Sequence, residues 1–564
     1  MKANSKPSTD RNLLFSGTLT ILICVHLGLA VYWMLLDHLP PFWDEAWYLY
    51  HGAVQYEAIR RLDVNAWLKA WVELDPNRPS FASTLAVPFY ALLGVGDDAG
   101  LCVNLIALAL LLLSTYGLAS RLHGRPAGLL AASCAGGYPL IVGLTHIFMV
   151  ELIKTAIIAL TLLALLKSDG FRVRSWSFVA AIAMACGSVI KVIYPIFVAG
   201  PWILTAIQAF ARRPAAPRRI QGSRIINVAM TVALPLLVAA PWYVTNFRWM
   251  MKRSLSASVG QEASLYGPGS PLRPENLYSF FLEFVGWDLS FAGSLFLAIG
   301  LIGLLPRVGR QGHVDDDPRP TPAYGVLFLL SSVLAGYAFL TSLRNQDHNH
   351  VSGLIPAVAV LTAWGLARLS RKLWPLPLTI VIGYMTVQLV AGTDPALLRY
   401  AGLRVTDPVN RDRLLLFYPA QAGTLHVRYA YPERRRWPIT DLVDYAAHSL
   451  PPLVIARGRG RIGVVPNYPC VEESAVQFEA YRQRAAMMVE FAVPGKLCEY
   501  DALITKTGDP GFPNRTQAYS EITKLLERPD SCFRLLPRAV PLPDGDEVLV
   551  YVRRDENDNQ STLR

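Results

Sequence analysis

The chain has 564 residues, 52% of them apolar and only 17% charged, with a mean hydropathy of +0.31. It is too oily for a soluble protein of this length and too long for a single membrane anchor, which leaves a polytopic membrane protein. The net charge of +11 would suit nucleic acid, but no nucleic-acid motif accompanies it, and membrane proteins collect Lys and Arg in their cytoplasmic loops.

The first apolar run, residues 12 to 36, follows Lys2, Lys6 and Arg11 and could serve as a signal peptide or a first anchor. It is 25 residues long with no small-x-small cleavage site before the next segment, so it reads as a retained helix with its N-terminus inside. Further membrane helices are expected near 101–120, 127–148, 152–167, 176–190, 192–210, 225–244, 289–305, 323–341, 351–367 and 377–392, about eleven in all. A crossing needs roughly 20 apolar residues, fewer where neighbouring protein shields its ends. With the N-terminus inside, the cytoplasmic connections are RLHGRP, KSDGFRVRS, ARRPAAPRRIQGSR, PRVGRQGHVDDDPRPTP and ARLSRKLWP, and each carries Lys or Arg.

Residues 37 to 100 then form one long external loop. Its apolar stretch FASTLAVPFYALLG is too short to span comfortably and is expected to lie at the interface or re-enter the bilayer. Beyond residue 393 the composition turns polar and short elements alternate: a helix DLVDYAAHSL, a strand RIGVV, a helix from Val471 to Ala485, and strands MMVEFAV, DALITKT and EVLVYV. This order predicts a small α/β domain over 393–554, on the outer, periplasmic side, followed by a disordered tail from 555 to 564. Cys24, Cys102, Cys134 and Cys186 fall in apolar segments. The odd set Cys470, Cys498 and Cys532 permits one internal disulfide, assigned to Cys470–Cys498 on condition that the domain faces an oxidising compartment.

This topology gathers charged residues at the outer ends of the helices. They are Asp44, Glu45 and Arg78 in the first loop, then Glu151, Lys191 and Arg248, and finally Arg344, Asp347, His348 and His350 before the tenth helix. Ionisable groups at membrane depth are expensive, so such a gathering points to function. Bland readings stand beside it. Asp44 and Glu45 would suit a wetted loop, Glu151 could pair with Lys154 one turn on, Lys191 could snorkel, and His348 and His350 could cap a polar loop rather than ligate a metal.

Taken in order, FWDEAWYLYHGA after the first helix, NRPSF, HIFMVELIKTA, ACGSVIKVIYP, LPLLVAAPWYVTNF and RNQDHNHVSGLIPAVAVLTAWGL resemble the membrane glycosyltransferases of the GT-C class. The resemblance is to the family of protein O-mannosyltransferases and lipid A aminoarabinose transferases, and it covers roughly residues 12 to 370. It implies a GT-C fold, with residues 1–392 as the catalytic membrane domain. It also implies a polyprenyl-phosphate-linked sugar as donor and a lipid, glycan or protein acceptor such as lipopolysaccharide, handled at the outer face of a bacterial inner membrane.

Position by position, the family's first-loop acidic motif falls on Asp44 and Glu45, with Asp44 matching its catalytic base. Its second acid falls on Glu151, its Lys on Lys191, and its basic residue before Pro-Pro-Leu on Arg78, although Ser80 stands here for the second Pro. An Arg-Tyr usual before the late helix is replaced near His350. The related oligosaccharyltransferases carry an Asp-x-Asp pair where this chain has only Glu151, so no essential metal or other cofactor is expected.

The chemistry asks for the same groups. Sugar transfer from a lipid phosphate needs a base for the acceptor hydroxyl and cations for the charge growing on the leaving oxygen. Asp44, ionised beside cationic neighbours, is expected to be the base, with Glu45 positioning the loop or the acceptor and Glu151 either assisting the base or binding a sugar hydroxyl. Lys191 and Arg78, with Arg344 and Arg248, are expected to hold the phosphate. Trp43, Trp47, Tyr48, His348 and His350 are expected to line the sugar and acceptor. With phosphate as leaving group, one inverting displacement needs no enzyme nucleophile. The rival readings are a transporter or flippase of a lipid-linked sugar, in which the buried charges mark a pathway, and a membrane anchor whose outer domain binds a glycan or partner.

Overall fold

The computed structural model describes residues 9–211, 218–260, 262–265, 272–305, 321–345, 347–369, 375–399, 417, 432–450, 454, 458–512 and 515–554. The tail expected to be disordered, 555 to 564, lies outside them, as does the acidic triplet Asp315 to Asp317.

In chain order the main helices are α1 (Thr9–Leu36), α2 (Trp43–Arg60), α3 (Val64–Glu73), α4 (Phe81–Leu93), α5 (Asp97–His123), α6 (Arg125–Gly137), α7 (Pro139–Thr145), α8 (Val150–Lys167), α9 (Arg174–Ser188), α10 (Tyr194–Ala211), α11 (Arg218–Ser258), α12 (Pro274–Glu283), α13 (Phe291–Leu304), α14 (Pro322–Ser342), α15 (Ile355–Leu369) and α16 (Pro375–Thr393). Each segment expected to cross the membrane falls on a helix except 127–148, which falls on α6 and α7, bent by 63° to one another. Among the described residues seven helices are long and apolar enough to span, or nine if each of two bent pairs is one span. The chain is a multi-pass membrane protein. Two of the expected spans fall short of that standard for physical reasons: α9 has 15 residues, and α8 carries Glu151, Lys154 and Lys167.

The chain divides into two compact units. The first holds residues 1–35, 68–82 and 101–431, and the second holds 36–67, 83–100 and 432–564. In the first, α8 is the central helix: every residue except Leu160 and Lys167 is buried, which is why its run is apolar on all sides rather than amphipathic. Helices α13 and α15 approach almost backbone to backbone. A Cβ at Gly365 would overlap the carbonyl oxygen of Gly300, and one at Gly303 would overlap that of Gly365. Small residues let helices in lipid make the close van der Waals contact that replaces a hydrophobic driving force.

In the second unit the C-terminal stretch forms α17 (Ile439–His448), β1 (Gly460–Val464), α18 (Glu473–Arg482), β2 (Met487–Phe491), β3 (Ala502–Lys506), α19 (Thr516–Leu526), β4 (Phe533–Leu535), β5 (Val540–Pro541) and β6 (Glu547–Arg553). The strand order is β2-β1-β3-β6-β4, with β5 also paired to β6. Strands β2, β1 and β3 run parallel, linked by crossovers, and β6 lies antiparallel to β3. The helices and strands expected from the alternating pattern are present, and the strands form one mixed sheet, in a unit that also takes in residues 36–67 and 83–100 of the first loop. Helix α19 and the short strands β4 and β5, which the pattern does not announce, complete it.

The expected disulfide is corrected. The bond joins Cys498 to Cys532, with Cα atoms 6.3 Å apart, while Cys470 is a buried thiol. Its Sγ faces the carbonyl oxygen of Pro40 at 3.7 Å, whereas Cys498 ends the turn before β3 and Cys532 leads into β4.

Candidate active site

In the membrane unit, α8 carries the apolar run AIIALTLLALL of a typical span, but its first turns hold Glu151 and Lys154, both fully buried. Met149 is extended and the helix begins at Val150, which puts Glu151 in the first turn, where the helix dipole favours an acid. A buried carboxylate needs a partner, and Lys191 supplies it through an ion pair from Nζ to Oε1. Lys191 sits in the turn between α9 and α10. That turn is tight: a Cβ at Gly187 would strike the ring of Tyr194, and the Tyr194 hydroxyl is held by the Thr161 hydroxyl of α8 at 2.7 Å. These contacts fix the turn, and with it the lysine, against α8.

The third member comes from the 3-10 turn His348–Leu354 that leads into α15. His350 places Nδ1 3.3 Å from Lys191 Nζ, and its carbonyl oxygen accepts from Lys154 Nζ at 3.3 Å. Asp347 caps that turn by accepting from the Asn349 N–H at 3.0 Å. Lys154 also lies over the ring of Phe197, 5.5 Å from its centre. The local pair Glu151–Lys154 offered by helical spacing is not the one formed: the acid turns to Lys191 and the lysine to His350.

His348 stands apart from this group. It is buried between Asp288 Oδ2, 3.1 Å from its Nδ1, and Glu283, which meets its Nε2, and it stacks on Phe280. Sequence reasoning missed both acids, whose partner lies 65 and 60 residues further along the chain. Arg344 is tied through its backbone N–H to the Ser258 carbonyl at 2.9 Å, at the far end of α11, while Arg248 is exposed on that helix. Arg78 follows a turn in which Asp75 Oδ1 accepts the N–H groups of Asn77 and Arg78, and the Asp75 carbonyl accepts the indole N–H of Trp242 of α11 at 3.2 Å. Of the expected phosphate ligands, it is Lys191 that joins the Glu151–His350 group through a direct contact. Among the described residues no group of three or more His, Cys, Asp and Glu has the arrangement of a metal site.

The remaining candidates belong to the second unit and sit on α2. Glu45 and Tyr48 are buried, Asp44 is half-buried, and Trp47 packs against Tyr50 and His51 with ring centres 5.7 and 4.6 Å away. The entry into this helix is unusual. The residue before it, Phe42, has no side chain able to cap, and Trp43 adopts φ +50°. A bulky residue there costs about 1–3 kcal/mol and persists only where its surroundings hold it. The holding groups come from the C-terminal domain. Glu472 accepts the Trp43 N–H at 2.8 Å and Asn467 accepts its indole N–H at 2.8 Å, with Phe512 edge-on to the ring. Glu472 simultaneously caps α18, accepting from Ser474 and Ala475. Burial pushes its carboxyl up from the ordinary range while these N–H groups pull it back. Its neighbour Glu473 is pushed up to about 7 by burial and by Glu472.

Comparison with known proteins places this architecture. No family model matches the sequence, and no curated protein matches it. In structure it is similar to ArnT from Cupriavidus metallidurans bound to undecaprenyl phosphate, with a TM-score of 0.56 and 14% identity over 96% of this chain and 98% of that one. The apo state of the same protein aligns at 0.53 with 15% identity over 97% and 98%. The arabinofuranosyltransferase AftD from Mycobacteria aligns at 0.53 with 14% identity over 96% of this chain and 42% of that one. At such identities the likeness concerns the fold, and it runs the length of the chain. The GT-C fold expected from the order of the sequence motifs is the fold of this protein.

Proposed function

We propose that the protein is a glycosyltransferase that moves a sugar from a polyprenyl-phosphate donor to a lipid, glycan or protein acceptor at the outer, periplasmic face of a bacterial inner membrane. The observation that carries this reading is the Glu151–Lys191–His350 group, a closed-off acid joined to a partly exposed lysine and histidine, set in a fold that it shares over its whole length with a protein crystallised with undecaprenyl phosphate. Buried ionisable groups in a membrane unit are costly and are kept where they handle charge.

In this reading Lys191 receives the donor phosphate. Its side chain is about a quarter exposed, whereas that of Glu151 is closed off, so an incoming anion meets the cation first. Glu151 then fixes the ammonium, and His350 lies beside it to take part in holding the phosphate oxygens. As the glycosidic bond to phosphate breaks, charge grows on the leaving oxygen, and a preorganised cation lowers the barrier. Asp44 accepts the proton of the acceptor hydroxyl, whose oxygen attacks the anomeric carbon from the face opposite the phosphate, giving inversion. Glu45, buried next to it on α2, positions the acceptor, and Arg78, Arg344 and Arg248 supply a wider positive field for the donor. No metal is required by this scheme.

The test is turnover of reconstituted protein on a polyprenyl-phosphate sugar. Asp44→Asn is expected to keep donor binding and lose at least ~100-fold in turnover, the scale of a lost general base. Lys191→Ala is expected to weaken donor affinity. Unchanged turnover in Asp44→Asn removes the proposed chemistry. Intact sugar phosphate accumulating inside the vesicles favours a transporter.

A further inference from the structure

The C-terminal domain has no chemistry of its own in the scheme above, yet it is built around the segment that carries Asp44. The four N–H groups that open any helix need outside acceptors, and a polar N-cap side chain usually supplies one. Here the capping position is Phe42, and the first of those N–H groups, on Trp43, is accepted instead by Glu472, 429 residues away. The indole of the same residue is accepted by Asn467, which is itself fixed: its N–H bonds to the Pro510 carbonyl at 2.9 Å, and its carbonyl accepts from Phe512 at 2.9 Å. Gly511 permits that approach, since a Cβ there would overlap the Asn467 carbonyl oxygen.

Upstream of the helix, the His38 N–H bonds to the Glu433 carbonyl at 2.7 Å, and the Glu433 N–H bonds to Asp37 Oδ1 at 2.6 Å. Downstream, the Tyr481 hydroxyl reaches the Ala53 carbonyl at 3.3 Å, and Tyr50 meets the Tyr481 ring edge-on. The helix is thus gripped before, at and after its first turn, and two of these bonds are made by the residue next to Asp44.

We infer that Asn467 and Glu472 are positioning residues for Asp44, acting through the two N–H groups of Trp43, so that the C-terminal domain sets the register of the catalytic acid. This rests on the reading of Asp44 as the base. Misplacement of a reacting group by about 1 Å can cost on the order of 100-fold in rate, so loss of one of two anchors is expected to be felt in kcat while donor binding is spared.

The experiment compares full-length Asn467→Ala, Asn467→Asp, Trp43→Phe and the double variant Asn467→Ala with Trp43→Phe, with Asp44→Asn as reference. Each is reconstituted, scored per folded molecule, and assayed for transfer from a polyprenyl-phosphate sugar. Asn467→Ala is expected to lower kcat ~10-fold with donor KM within ~2-fold, and Asn467→Asp, which keeps an acceptor oxygen, to restore it. Trp43→Phe, which keeps the ring and removes the donor, is expected to match Asn467→Ala, with the double variant no worse than either. If Asn467→Ala does not fold, Trp43→Phe gives the same reading from the donor end of the same bond. Full kcat in Trp43→Phe, or losses that multiply in the double variant, overturn the inference while an inactive Asp44→Asn leaves the proposed function standing. Full activity in Asp44→Asn overturns both.

Discussion

The two units hold their charged candidates in different ways. In the membrane unit, Glu151 pairs with Lys191, and Lys191 and Lys154 both meet His350, through groups brought together from α8, the α9–α10 turn and the turn before α15. In the second unit, Asp44 and Glu45 are placed by the main chain: a helix start without a local cap is held by Glu472 and Asn467. Where water is absent, charge must be neutralised by charge; where polar backbone is plentiful, a hydrogen-bonded cap suffices. The first arrangement is sensitive to removal of one partner, the second to loss of geometry.

The largest effect should come from breaking the membrane-unit pair on its cation side. Lys191→Met strands a closed-off carboxylate and is expected to cost roughly 3 kcal/mol or more of stability, as for other buried pairs that lose one partner. The double variant Lys191→Met with Glu151→Gln is expected to recover much of that loss. Thermal unfolding in detergent of the wild type, both single variants and the double variant checks this, and additive losses would show that the pair is not coupled.

A smaller effect, in the second unit, is a pH dependence. Glu473 is raised from an ordinary 4.5 to about 7 by burial and by Glu472. The folded chain therefore keeps that proton between about pH 4.5 and 7, where the unfolded chain has released it. Its contribution to stability is full below about 4.5 and lost as the pH rises through 7. Glu473→Gln should flatten the Tm against pH curve in this window, and an unaltered slope would assign the dependence elsewhere.

These contrasts also explain what is legible in the sequence. The apolar runs are long enough to announce the helices, and the short apolar strands RIGVV, MMVEFAV, DALITKT and EVLVYV announce the sheet, because each pattern is local. Strands β4 and β5, of three and two residues, carry too little pattern to read. The importance of Glu151 and Lys191 can be read from their cost in an apolar setting, but their pairing across 40 residues cannot. Helical spacing offers Lys154 instead. For the same reason Glu283 and Asp288 around His348, the Glu472 cap of Trp43 and the Cys498–Cys532 bond are hidden, since each joins residues far apart in sequence. The aromatic neighbours of Trp43 suggest a sugar platform, whereas its indole N–H is committed to Asn467.

The central claim, that a sugar leaves a prenyl phosphate for an acceptor hydroxyl, is tested most directly by following a labelled polyprenyl-phosphate sugar in vesicles holding the purified protein and a cell-envelope lipid extract. The expected result is label appearing on an acceptor with one unlabelled polyprenyl phosphate released per transfer. Label that stays on its phosphate, whether outside or carried into the lumen, would contradict the account.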